Sequence, residues 1–253
     1  MGVFFMKIVS IKNIKIGEGL PKIIIPLVGE NIEQLIKEIS EVKKANPDIV
    51  EWRADMLEGI EDIEEMKKAL SFITKELSSL PLLFTFRTHR EGGNKRIEDT
   101  YYEELLLEAI NSDFIDLIDV ELFSSCVNRI VEAAQKRGIP TIMSNHDFKG
   151  TPSKEVIIER LLKMQELGAS IPKIAVMPQS PLDVLVLLEA TYTMSSTHAD
   201  RPIITMSMNK NGIISRLAGE VFGSAATFGA GLQISAPGQI PAGDLREILQ
   251  LLH

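Results

Sequence analysis

The chain has 253 residues, 45% apolar and 25% charged, enough for a sizeable core and close to the usual length of one (β/α)8 barrel. Its net charge is −8 and its Lys and Arg residues are dispersed, which argues against a broad phosphate-binding face and against nucleic acid as a partner. One cysteine, Cys126, leaves no material for an intrachain disulfide or a multi-thiolate metal site and fits a cytoplasmic protein, and the sequence shows no membrane-length apolar run and no leader-like opening.

The first segment, MKIVSIKNIKIGEG, alternates polar and apolar residues and predicts a short β-hairpin within residues 1–20. Short apolar runs then alternate with stretches of helical period. The predicted strands are KIIIPLV (22–28), DIVEWR (48–53), LLFTFR (82–87), FIDLIDVEL (114–122), PTIMSN (140–145), PKIAVM (172–177), PIITMS (202–207) and SAATFG (224–229). Between the first two, Ile32, Leu35, Ile36, Ile39 and Val42 share one helical face; Ile60, Ile63, Met66, Leu70, Ile73 and Leu77 do so in the next gap. The fifth helix is punctuated by Thr151 as cap, Pro152 at its first position and Gly168 as its stop. Pro26 cannot donate to a strand ladder and predicts a bulge in the first strand. Eight βα units suit an open doubly wound sheet or a closed barrel, and the number eight favours closure. The predicted fold is α/β: a single (β/α)8 TIM-barrel domain over residues 1–253, with the N-terminal hairpin outside the eight-fold unit.

In such barrels the site lies at the C-terminal strand ends, and here those ends are polar. They carry Glu51 and Arg53; Arg87, followed by His89 and Glu91; Asp119 and Glu121; His146 and Asp147; and Lys173. Beyond the seventh and eighth strands come Met206, Met208, Arg216, Ser235 and Gln239. Lys173 stands within the apolar run IPKIAVMP. Alternation places it on one face with Ala175 and Met177, where desolvation would lower its pKa and free the amine for carbonyl attack. The bland reading is a solvated edge lysine. His146 equally fits a ring satisfying a backbone carbonyl, and Arg216 a surface partner of Glu220. Glu51, Arg53, Arg87, Asp119 and Glu121 also suit a structural ion-pair belt. The four histidines lack paired ligand spacing, which argues against zinc, and nearby arginines oppose magnesium on Glu51, Asp119 and Glu121. The stretch FGAGLQISAPGQ suits a phosphate cradle or a mobile lid.

Taken together, EWRAD (51–55), FTFRTHREGG (84–93), MSNHDF (143–148), IPKIAVMPQSP (171–181), MSMNKNGIISR (206–216) and SAPGQI (235–240) resemble the type I 3-dehydroquinate dehydratases, from about Pro21 to the end of the chain. The resemblance implies dehydration of 3-dehydroquinate to 3-dehydroshikimate through a lysine imine, without metal or cofactor, in a homodimer. It implies Lys173 as the imine-forming lysine, His146 as the proton-transfer group and Glu91 as its support. Glu51, Arg53, Arg87, Arg216, Ser235 and Gln239 fall on substrate-binding positions. No departure appears at these positions; Pro26, near the barrel mouth, is where members differ. Two other readings stay open: another imine-forming barrel of the aldolase or transaldolase kind, and a binding barrel without catalysis.

Overall fold

The computed structural model describes residues 7–232 and 236–253. The alternating first segment forms the expected hairpin: β1 (Val9–Ile11) pairs antiparallel with β2 (Ile14–Ile16). Its inward Ile11 and Ile16 are buried and pack with the barrel's inner residues.

Eight parallel strands follow among the described residues: β3 (Lys22–Leu27), β4 (Ile49–Arg53), β5 (Leu82–Thr85), β6 (Leu117–Glu121), β7 (Thr141–Asp147), β8 (Ile171–Val176), β9 (Ile204–Ser207) and β10 (Ala226–Phe228). They are ordered β10-β3-β4-β5-β6-β7-β8-β9. The seam between β9 and β10 is closed by a parallel bridge, Ile203 to Ser224, where the Ala225 N–H donates to the Ile203 carbonyl at 2.8 Å. The helices around them are α1 (Ile32–Ala45), α2 (Ile63–Leu77), α3 (Asp99–Asn111), α4 (Val127–Lys136), α5 (Lys154–Glu166), α6 (Pro181–Thr193), α7 (Ile213–Leu217) and α8 (Ala242–Leu252). No helix among the described residues is long and apolar enough to cross a membrane.

Strand alternation sorts the core into two shells. Outward residues such as Ile25, Val50, Trp52, Phe84, Ile118, Val120, Met143, Ile174 and Val176 meet the helices. Inward residues at the strand starts, Ile24, Ile49, Leu83, Leu117, Ile142, Ile171, Ile204 and Ala226, fill the barrel floor. One inward step further along, the same period gives Pro26, Glu51, Thr85, Asp119, Ser144, Lys173, Met206 and Phe228; the next step gives Arg53, Arg87, Glu121, His146, Ala175 and Met208. The barrel therefore changes from aliphatic to polar within one side-chain layer, and the floor leaves the polar groups no solvent below them.

Three local expectations need correction. Pro26 makes no bulge: the register Ile24↔Ile49, Ile25↔Val50, Pro26↔Glu51, Leu27↔Trp52 runs unbroken. Backbone groups of Lys22 and Ile24 face β10, and period two turns the position of Pro26 the same way, just past Phe228↔Ile24, the last β10 pair. Its missing N–H thus falls where the β10 ladder ends, rather than within it. Helix α5 is capped by Ser153, whose Oγ accepts from the Val156 N–H, rather than by Thr151, so Pro152 precedes the cap; Gly168, at φ +88°, ends it as expected. Ile36 is 51% exposed although it shares the helical period of Leu35 and Ile39, because the buried stripe of α1 runs through Leu35, Glu38, Ile39 and Val42. Glu38 is buried there because its Oε2 accepts the Val28 and Gly29 N–H groups, both at 2.8 Å.

Candidate active site

At the C-terminal mouth of the barrel lies a cavity lined by Glu51, Arg53, Arg87, His146, Lys173, Arg216 and Gln239, with Ala175, Met206, Met208, Phe228 and Ala236 between them. Seven of the nine residues expected from the sequence line this one space. Glu91 adjoins it behind His146, and Ser235 lies outside the described residues.

Lys173 is 3% exposed. Its Nζ lies over the Phe228 ring, 4.3 Å from the centroid, and 3.7 Å from Asp119 Oδ2. Burial pushes its pKa below the ordinary lysine value; Asp119 and Glu51 oppose that shift, while Arg87 and Arg53 reinforce it. The amine is thus drier and more readily neutral than a surface lysine, without being abandoned by counter-charge. Asp119 Oδ1 accepts from Arg87 Nη2 at 2.8 Å and from the Ser144 hydroxyl at 2.7 Å, which fixes the carboxylate; Oδ2 has no hydrogen-bond partner.

Arg87 organises the carboxylates of the barrel mouth. Its Nη1 donates to Glu121 Oε1 at 3.0 Å and to Ser144 Oγ at 2.9 Å, and lies 3.6 Å from Glu91. Burial works against its charge, but Asp119 and Glu121 outweigh it and hold its pKa well above the usual value. The belt reading thus describes Arg87, Asp119 and Glu121 well. Removing one partner from such a buried set typically costs about 3–5 kcal/mol, because it strands the other charge. With its guanidinium already between Asp119 and Glu121, no described group of three His, Cys, Asp or Glu is disposed to hold a metal ion. Arg53 is tied to Asp55 by two hydrogen bonds of 2.7 and 2.8 Å, and Glu51 accepts from the Thr85 hydroxyl at 2.9 Å.

His146 sits one inward position beyond Ser144, and Ser144 pairs with Lys173, so the imidazole stands above the amine on the neighbouring strand. The ring Nδ1 is 2.9 Å from Glu91 Oε2, which also accepts the His146 N–H at 3.0 Å. Burial, with Arg87, Lys173 and Arg53 nearby, holds the imidazole pKa well below its ordinary value and favours the neutral ring. Burial, with Glu121 and Asp119 nearby, raises the Glu91 carboxyl to about 8, and Arg87 and the Asn145 amide hydrogen bond restrain that rise. The motif FTFRTHREGG explains how Glu91 reaches this place: the turn after β5 closes with Gly92 at φ +84°, and a Cβ on Gly93 would stand 1.8 Å from the Arg87 carbonyl oxygen.

Arg216 departs from the surface-pair expectation. It is buried, and Glu220 binds His253 instead. Its Nη2 donates to the Pro237 carbonyl at 3.2 Å, Nη1 approaches Met206 Sδ at 3.5 Å, and Nε has no partner. No carboxylate among the described residues pairs with it, and burial lowers its pKa to about 10. The stretch after β10 folds onto this arginine: Pro237 O also accepts the Asn209 N–H at 3.1 Å, and the Ala236 N–H donates to Gln239 Oε1 at 3.3 Å. These contacts suit a cover for the cavity.

The sequence reading assigned no role to Phe228, Asp55 or Asn145. Alternation in SAATFG would have turned Phe228 inward with Ala226; the partners of Asp55 and Asn145 arise only across strands and turns.

The fold and site define a (β/α)8 barrel of the lyase kind, with a shielded primary amine, an imidazole held by a carboxyl group, and a guanidinium that no carboxylate among the described residues pairs with, around one cavity. The chain belongs to the type I 3-dehydroquinase family, whose model matches residues 23–253. It is 56% identical to the 3-dehydroquinate dehydratase of Bacillus velezensis over 98% of this chain and 99% of that one. It is 54% identical to that of Clostridioides difficile over 97% of each. A solved structure of the type I 3-dehydroquinate dehydratase from Clostridium difficile with covalently modified comenic acid superposes with a TM-score of 0.96 at 53% identity, covering 98% of this chain and 99% of that one. A 3-deoxy-D-arabino-heptulosonate 7-phosphate synthase from Thermotoga maritima, 12% identical with a TM-score of 0.63, shares the barrel fold alone.

Proposed function

We infer that this protein is a hydro-lyase that converts 3-dehydroquinate to 3-dehydroshikimate and water, in the shikimate route, through an imine on Lys173. The observation that carries the reading is the pairing of two buried cations with opposite needs in one cavity: Lys173, beside Asp119, and Arg216, which has no counter-ion among the described residues. A buried guanidinium without a counter-ion is costly, and a substrate carboxylate supplies one in a two-pronged fit.

The substrate has a ketone at C3, a hydroxyl at C1 and hydrogens at C2 between them. Lys173 Nζ attacks C3; the carbonyl oxygen takes one proton from the amine and one from solvent and leaves as water, and a protonated imine remains. The fixed Asp119 carboxylate lies 3.7 Å from that nitrogen and stabilises its charge as it develops. His146, neutral because its pKa is depressed, accepts the C2 proton; the electron pair moves into the enamine. The enamine expels the C1 hydroxyl, to which the imidazolium returns the proton, and hydrolysis of the imine frees the lysine and the conjugated ketone. Glu91 orients the ring through Nδ1. Glu51, Arg53, Arg87, Gln239 and Ser235 are assigned to the ring hydroxyls and to closure of the site.

The test is ultraviolet absorbance from the conjugated product on addition of 3-dehydroquinate. The unmodified protein gives a rising signal, and its absence overturns the reading. In the same assay Arg216→Ala raises KM by at least about tenfold, the loss of one charge-assisted bidentate contact. An unchanged KM removes Arg216 from the carboxylate.

A further inference from the structure

Resting on the dehydration reading, we propose that Arg160, on helix α5 outside the barrel, is a positioning residue for the His146–Glu91 pair, acting through the side-chain amide of Asn145. Arg160 Nη1 donates to Asn145 Oδ1 at 2.9 Å, and Asn145 Nδ2 donates to Glu91 Oε1 at 3.2 Å. Glu91 Oε2 then takes both the N–H and the ring Nδ1 of His146. An amide presents an acceptor at one end and donors at the other, and a guanidinium is a donor only. Arg160 therefore decides which way Asn145 faces: with Oδ1 held, the NH₂ turns to Glu91 and favours its carboxylate form. If the amide turned over, its oxygen would face a carboxylate oxygen, and Glu91 would gain a proton or swing away from the imidazole.

Arg160 is itself fixed. The same Nη1 donates to Asp147 Oδ2 at 3.2 Å, and the guanidinium lies 5.8 Å from the centre of the Phe123 ring. The latch joins α5 to two consecutive residues of β7, Asn145 facing the helices and His146 facing the cavity. Glu91 is faced from other elements by Arg87 at 3.6 Å, by Asp119 and Glu121 of β6, and by His146. These charges stay in place when Arg160 is replaced, so the readout isolates the amide. With the Nδ2 donor lost, Glu91 holds its proton to higher pH, and the form that supports the ring fades from the acid side.

The experiment compares the unmodified enzyme with R160A, R160K and N145A, measuring kcat and KM for 3-dehydroquinate across pH and borohydride trapping of the imine. R160A is expected to trap as the unmodified enzyme does, with unchanged KM and about a tenfold lower kcat, a fraction of the ~10² to 10⁴ that proton transfer contributes. The acid limb of its kcat profile moves to higher pH, and R160K, which restores a pure donor, recovers the profile. N145A shifts the limb in the same direction and supplies the readout if R160A does not fold. Superimposable profiles for R160A or N145A and the unmodified enzyme overturn the proposal, as does an R160K as impaired as R160A. Failure of the unmodified enzyme to trap any ligand overturns the dehydration reading instead.

Discussion

Lys173→Ala is expected to remove turnover of 3-dehydroquinate by roughly 10³-fold or more while leaving a folded barrel. The lysine carries the electron sink, and no other described cavity residue is a primary amine. Alanine keeps a small side chain beside Ala175 and the Phe228 ring, and Asp119 stays held by Arg87 and Ser144, so the barrel folds with a lower unfolding midpoint from the lost ion pair. A cooperative unfolding transition at a somewhat lower midpoint, with abolished product formation, is the predicted pair of results. Retained turnover would place the chemistry elsewhere in the cavity.

His146→Ala has the next largest effect, and its signature differs. Amine attack on the ketone needs Lys173 and a dry cavity, whereas C2 deprotonation and departure of the C1 hydroxyl need the imidazole. The variant should therefore accumulate the covalent adduct, detected as a persistent mass increase, while kcat falls by about 10² to 10⁴. Near-normal kcat would remove His146 from proton transfer; loss of the adduct as well would assign it to imine formation. The depressed pKa gives the sign of the pH dependence: the ring accepts a proton only while neutral, and burial beside Arg87 and Lys173 keeps it so well into the acid range. In the unmodified enzyme the imidazole thus sets no limb near its ordinary pKa.

Much of this arrangement was legible in the chain because a β-strand has a period of two. Once IPKIAVMP was read as a strand, the inward placement of Lys173 with Ala175 followed, and the same rule carried Glu51, Arg53 and His146 to the cavity. Strand limits were less legible. The ladder of β7 continues through His146 and Asp147, polar residues that end an apolar run yet still pair with Ala175 and Val176. Pro26 misled for a related reason: whether a missing N–H matters depends on how far the neighbouring strand extends, which is set two hundred residues away. Arg216 resembled half of a helix-surface pair because Glu220 lies at i+4; the short α7 ends at Leu217, which breaks that spacing and leaves the guanidinium to the barrel mouth. The Arg160–Asn145–Glu91 contacts join three segments with no fixed spacing, and only the folded geometry brings them together. Ser235, named from the resemblance, lies outside the described residues.

The central claim is tested most directly by reducing a mixture of the protein and 3-dehydroquinate with borohydride and mapping the modified peptide across pH. A stable mass increase on Lys173 is predicted. Its rate should rise with pH as the ammonium loses its proton, and level off below the ordinary lysine pKa of 10.5, since burial depresses that value in the folded chain. Continued product formation with Lys173 unmodified, or a label on another residue, would contradict an imine at this position.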